Sequence, residues 1–213
     1  MTPADRLTSI RERIAKAARL AKRDPADITL IAVSKTRTVG EIEALIAAGQ
    51  RDFGESRVQE AQDKWPELLA RHPDVRLHMI GRLQSNKAEE AAALFGTIHS
   101  LDRPSLLDAL VLTGRTPDCM VQVNVGEEEQ KGGIALADLP AFLEQVRASP
   151  LPLAGLMAIP PLGPRPGPYF ALLAKLARRH GVTGLSIGMS ADFETAVMLG
   201  ATHVRVGTAL FED

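Results

Sequence analysis

"LIAVSKTR", residues 30–37, begins as a strand and ends on a charge. Leu30, Ile31, Ala32 and Val33 make a short continuous apolar run, the pattern of a strand covered on both faces as in a parallel sheet. Lys35 follows one residue beyond Ser34. A lysine there reads either as a charge marking the strand's end or as a functional amine, and its surroundings must decide. The chain holds seven lysines. Lys16, Lys22, Lys64, Lys87 and Lys175 fall in segments of helical spacing, where a solvated face is expected, and Lys131 lies in a loop. Only Lys35 directly follows a buried strand.

Outward from this stretch the same rhythm repeats. Strands are expected at 28–34, 52–54, 76–81, 97–100, 119–125, 153–159, 184–188 and 203–207, with helical spacing in segments such as "EIEALIAAG", "ADLPAFLEQVRAS" and "ADFETAVMLG". Thr38 with Glu41, Ser56 with Gln59 and Asn86 with Glu89 stand at capping-box distance, and Gly49 and Gly200 sit where helices would stop. This alternation predicts an α/β fold: one (β/α)8 barrel of the TIM type over residues 1–213. An open doubly wound sheet is the alternative, but no G-x-G-x-x-G follows the first strand. Leu7, Ile10, Ile14, Ala17 and Ala21 recur at three and four, so residues 1–24 are expected to form an extra helix packed on the barrel. The Pro/Gly-rich stretch 159–168 reads as a loop after the sixth strand.

Composition excludes several classes. A length of 213 residues, 45% of them hydrophobic, suffices for one substantial core, and a net charge of −1 argues against nucleic acid or an anionic membrane as partner. No apolar run approaches the roughly 18 residues of a membrane helix. The single cysteine, Cys119, rules out an internal disulfide or a cysteine-rich zinc site and fits a reducing compartment. With no signal-peptide region, a cytoplasmic location is expected. His78, His99 and His203 lie in or near strands without metal-ligand spacing and read as satisfied core histidines.

Barrel enzymes work at the C-terminal ends of their strands, and Lys35 stands at one. A lysine amine, with an ordinary pKa of about 10.4, becomes nucleophilic when partial burial disfavours its charge, as a Schiff base with an aldehyde requires. The loops after the last two strands are where barrels often hold phosphate. Ser186 and Thr208 can donate hydroxyls there, and Gly188 and Gly207 allow close backbone approach. Arg205, between Val204 and Val206, must find a partner. A buried carboxylate is one candidate and the ring nitrogen of a pyridine cofactor is the other.

"LIAVSKTR", "FGESRVQE", "LHMIGRLQSNK", "VQVNVGEEEQKGGI", "GLMAIPP" and "LSIGMSADFETAVMLGATHVRVGTALF" together resemble the pyridoxal phosphate homeostasis proteins over nearly the whole chain. The resemblance implies a barrel similar to the N-terminal domain of alanine racemase, with pyridoxal 5′-phosphate (PLP) held as a Schiff base on Lys35. It further implies that Arg205 faces the pyridine nitrogen while Ser186, Gly207 and Thr208 help hold the phosphate. Serine stands at 56 where the family usually has asparagine, and arginine at 82 where it often has proline. The match at "EEEQKGGI" suggests Lys131 as a second amine that helps PLP arrive or leave.

Three functions follow. The first is a monomeric carrier that holds PLP, and serves PLP-dependent apoenzymes, without turnover. The second is an amino-acid racemase of the alanine racemase type, for which the lone tyrosine, Tyr169, is a poorly placed second base. The third, an aldolase-like lyase, keeps the lysine and drops PLP.

Overall fold

The computed structural model describes residues 1–128, 130–161, 163 and 165–212. Glu129, Leu162, Pro164 and Asp213, which fall in the quoted loops and at the chain's end, lie outside the described residues. Among the described residues, eight parallel strands form a closed barrel in chain order. They are β1 (Thr29–Val33), β2 (Asp52–Glu55), β3 (Arg76–Met79), β4 (Thr97–Leu101), β5 (Asp118–Gln122), β6 (Leu153–Met157), β7 (Gly184–Met189) and β8 (His203–Val206). β1 closes the ring, with Ala32 opposite Phe53 of β2 on one side and Val206 of β8 on the other. Every strand expected from the apolar runs is present. The largest difference is at β5, which ends at Gln122 and leaves a single bridge from Val123 to Ile134.

The helices α2 (Val39–Ala47), α3 (Val58–Arg71), α4 (Ala88–Leu94), α5 (Pro104–Leu112), α6 (Leu139–Ala148), α7 (Gly167–Arg179) and α8 (Phe193–Met198) connect successive strands, and α9 (Thr208–Phe211) follows β8. The helix expected before the barrel is α1 (Pro3–Leu20). It buries Leu7, Ile10, Ile14, Ala17 and Ala18, with Ala18 completing the face in place of Ala21, and it contacts α2, α8 and α9.

Local chemistry explains the boundaries. Thr38 and Glu41 form the expected capping box at α2. Gly49 and Gly200 take φ values of +97° and +108°, the left-handed conformation that ends a helix without a Cβ penalty. The other two boxes do not form. The α3 cap is Arg57, because Ser56 is still held at the exit of β2, where an added Cβ on Gly81 would lie 2.2 Å from the Ser56 carbonyl oxygen. A 3-10 turn, Ser85–Lys87, takes the place of the box at α4 and leaves Lys87 as its cap.

Two kinds of core result. Between sheet and helices the packing is largely apolar, with Phe53 and Trp65 at a ring separation of 5.2 Å. Barrel interiors are ordinarily filled by layers of branched apolar side chains. Here Ile31, Met120 and Met157 share the interior with buried His78, His99, Ser186 and Arg205. His99 on β4 bonds to Ser186 on β7, and these strands are not neighbours, so the contact crosses the barrel.

Candidate cofactor site

The β1 exit carries Lys35 on a tight turn. Ser34 N–H donates to Gly54 O at 3.0 Å, Arg37 N–H to Ser34 O at 3.0 Å, and Thr36 takes a φ of +62°. A non-glycine residue in that region needs support. The support comes from α3: Glu60 accepts from Thr36 N–H, and Lys64 Nζ donates to Ser34 O at 3.0 Å. Lys64 also pairs with Glu60 at 2.9 Å and with Glu55 at 2.8 Å. Glu55 is completely buried and accepts from Ser34 Oγ (2.8 Å) and Trp65 Nε1 (3.0 Å) as well.

Lys64 was expected on a solvated helix face, and the structure corrects this: its side chain is 12% exposed. A buried carboxylate requires a cation and hydrogen bonds, and Lys64 meets that need. Glu55, directly after the expected strand 52–54 and one residue before the Ser56 turn, was the signal in the sequence. Lys35 differs in the opposite sense. Partial burial was expected, yet the residue is exposed and its amine has no hydrogen-bond partner among the described residues.

Arg205, by contrast, is 4% exposed. Its Nη1 donates to Ser186 O at 2.7 Å and Ser186 Oγ at 2.6 Å, and its Nη2 to Ala158 O at 3.1 Å. No carboxylate pairs with it among the described residues; Asp192 acts only through its field. Burial lowers its pKa to about 10, which leaves it charged at neutral pH. Three of the five N–H donors of the guanidinium are committed, and the others have no described partner. The reading of Arg205 as one half of a buried carboxylate pair is thereby removed.

Register places Gly207 beside Val33, two residues short of Lys35. Gly207 N–H donates to Ser190 Oγ at 3.2 Å, while the N–H groups of Thr208 and Ala209 have no partner among the described residues. Ser186 lies deeper than expected: its hydroxyl is fully buried and shared by His99 and Arg205. Ser190, not singled out in the sequence, is the hydroxyl at the Gly207 turn. Across the mouth, a cavity of about 640 Å³ is lined by Arg57, Arg82, Lys87 and Arg103 and, among the described residues, by no carboxylate. Lys131, in the β5–α6 loop, pairs with Glu128 at 2.6 Å and donates to Pro160 O at 3.3 Å. His78, His99 and His203 are hydrogen-bonded, and no group of metal-ligating side chains occurs among the described residues.

The family model for the N-terminal domain of alanine racemase matches residues 6–213. Over 222 aligned residues the chain is 44% identical to a pyridoxal phosphate homeostasis protein of Pseudomonas aeruginosa, spanning 99% of this chain and 95% of that one. This chain belongs to the pyridoxal phosphate homeostasis protein family. Another family member, from Synechocystis, is 40% identical over 89% of this chain and 93% of its own length. Among solved structures, PipY of Synechococcus elongatus with PLP bound superposes on this homeostasis-family chain with a TM-score of 0.84 at 39% identity, covering 98% of this chain and 99% of PipY. Alanine racemase of Corynebacterium glutamicum gives a TM-score of 0.68 at 18% identity, with 96% of this chain matched to 60% of that enzyme, a likeness of fold alone. No helix among the described residues is long and apolar enough to cross a membrane.

Proposed function

We propose that this chain binds PLP at the seam between β1 and β8 and serves in the homeostasis of that cofactor, holding it without turnover of its own. The carrying observation is a donor set suited to a phosphorylated pyridine aldehyde on two adjacent strands. It comprises the Lys35 amine, the remaining N–H groups of buried Arg205, and the N–H groups of Thr208 and Ala209, all without a partner among the described residues. Lys35 would hold the aldehyde carbon, Arg205 would face the ring nitrogen, and Gly207 and Thr208 would hold the phosphate. Ser186 would act through Arg205, since its hydroxyl is already committed.

When bound, PLP supplies an electron sink whose strength depends on the group at its ring nitrogen. A permanently charged arginine disfavours protonation of that nitrogen and weakens the sink, which suits holding the cofactor. Tyr169, the candidate second base of a racemase, is packed against the core in the first turn of α7, in keeping with a carrier. We place the protein in the cytoplasm as a monomer that passes PLP to apoenzymes.

The test is an absorption spectrum of the PLP-loaded protein before and after borohydride reduction, followed by peptide mapping. Visible absorbance and a pyridoxyl label on Lys35 are expected, with Lys35→Ala losing the label while keeping its fold. A label on Lys131 or Lys87 would overturn the assignment. Amino-acid racemisation that disappears in Lys35→Ala would replace the carrier with an enzyme.

A further inference from the structure

A hydrogen-bonded chain of side chains runs the length of the barrel interior. Beyond Arg205 and Ser186, His99 Nδ1 lies 2.8 Å from Ser186 Oγ, and His99 Nε2 lies 3.0 Å from His78 Nδ1. His78 Nε2 is 3.0 Å from Asp52 Oδ1, and Asp52 Oδ2 accepts from Arg76 at 2.8 Å at the N-terminal rim. The path crosses from β8 to β7, β4, β3 and β2. His203 is close, its ring 5.8 Å from that of His99 and 6.4 Å from that of His78, but its Nδ1 is bonded to Thr202 Oγ1.

The two ends of this chain dictate where each hydrogen sits. A guanidinium only donates and a carboxylate only accepts. Ser186 Oγ receives Arg205 Nη1–H, and its own hydrogen has a single described acceptor, His99 Nδ1. His99 is then protonated on Nε2 and donates to His78 Nδ1. His78 is likewise protonated on Nε2 and donates to Asp52. Every link is filled with both rings neutral. The reverse order at His99 would need a cationic His78 in the same interior as Arg205, and it would strand the Ser186 hydrogen.

We infer that Ser186, His99, His78 and Asp52 form a one-directional hydrogen-bond chain that holds Arg205 in place, making His99 and His78 positioning residues for the guanidinium that faces the cofactor's ring nitrogen. The geometry supports this role. Among the described residues Arg205 has no carboxylate partner, and neutral oxygens hold it. The Ser186 lone pair is directed at Nη1 only while its hydrogen is drawn toward His99. Hydrogen bonds aligned in one direction polarise one another, and here the acceptor end is an anion. The inference rests on the reading of Arg205 given above, so the experiment separates the two.

The first arm uses the protein without PLP. Long-range 1H–15N spectra at about pH 8 should show both His78 and His99 protonated on Nε2. A proton on Nδ1 of either ring would overturn the chain. The second arm measures PLP affinity and the visible band. Ser186→Ala and His99→Leu should each weaken binding about tenfold, the scale of one hydrogen bond to a charged group, and shift the band. His99→Asn, which keeps an acceptor for the Ser186 hydroxyl, should stay within about twofold of the parent. Ser186→Ala removes so little volume that a folding failure in His99→Leu would not decide the matter. Arg205→Ala is the reference. If it changes binding and spectrum while Ser186→Ala and folded His99→Leu change neither, the chain has no positioning role. If Arg205→Ala itself changes nothing, the ring-nitrogen reading falls and takes the chain's role with it.

Discussion

Asp52, His99 and His203 make the barrel interior sensitive to acid in a direction that can be derived. Burial alone would raise the Asp52 carboxyl, but hydrogen bonds from His78 and Arg76, with the Arg76 charge, outweigh it and leave the group below its ordinary 3.8. Burial pushes His99 well below 6.5, and the Arg205 charge, with any charge that acid would place on His78 or His203, pushes the same way. The same cause lowers His203 to about 4. In each case the folded-state value lies below the unfolded one, so the unfolded chain takes up protons first as pH falls. The histidine contribution is therefore full above pH 6.5 and declines below it, while that of Asp52 is full above 3.8 and is lost as pH falls through its folded value. For half-buried His203, a drop from 6.5 to about 4 bounds the loss at roughly 3 kcal/mol. Urea unfolding at about pH 7 and about pH 4.5 should show stability falling by a few kcal/mol, with a smaller fall in His203→Asn. A pH-independent midpoint would contradict this. His78, His99 and His203 were legible as core histidines because they fall in or near apolar strands. The partnership of His99 with Ser186 was not, since a single sequence does not reveal a contact between strands that are not neighbours.

α3 shows what an element adds to a site residue that it does not carry. Its first turns place Glu60 and Lys64 over the β1 exit, where they grip the backbone on both sides of Lys35. Lys64→Met would leave Glu55 buried without its cation, and removing one partner of a buried pair costs about 3 kcal/mol or more. A melting-curve shift of that size is expected, together with faster loss of PLP from Lys35 as the turn loosens. Glu55→Gln in the same chain should recover part of the stability and little of the retention. Equal recovery of both would mean that the pair supports the fold alone. The helix was legible from its apolar spacing. Its start was missed because the close approach of Gly81 to Ser56 is a tertiary contact. Lys64 was misread because a Glu60–Lys64 pair at i,i+4 is also the pattern of a solvated surface pair.

Across the whole molecule, the candidate site lies on the seam where the first strand meets the last. Lys35 follows β1, and Arg205 and Gly207 come from β8 and the turn beyond it. α1 bridges the same seam from outside, packing on α2 near one side and on α8 and α9 near the other, while Arg6 Nε donates to Leu210 O at 2.9 Å. A ligand held by both strands therefore opposes the same opening that α1 opposes. Ile14→Ala, at a site 4% exposed, should destabilise the apoprotein by about 3 kcal/mol. PLP that binds only the closed barrel should return about 2.7 kcal/mol at a hundredfold excess over its Kd. The variant's melting temperature should then approach that of the parent apoprotein, and this rescue should shrink sharply in Ile14→Ala combined with Lys35→Ala. Equal rescue with and without Lys35 would show that PLP stabilises the chain somewhere other than the seam.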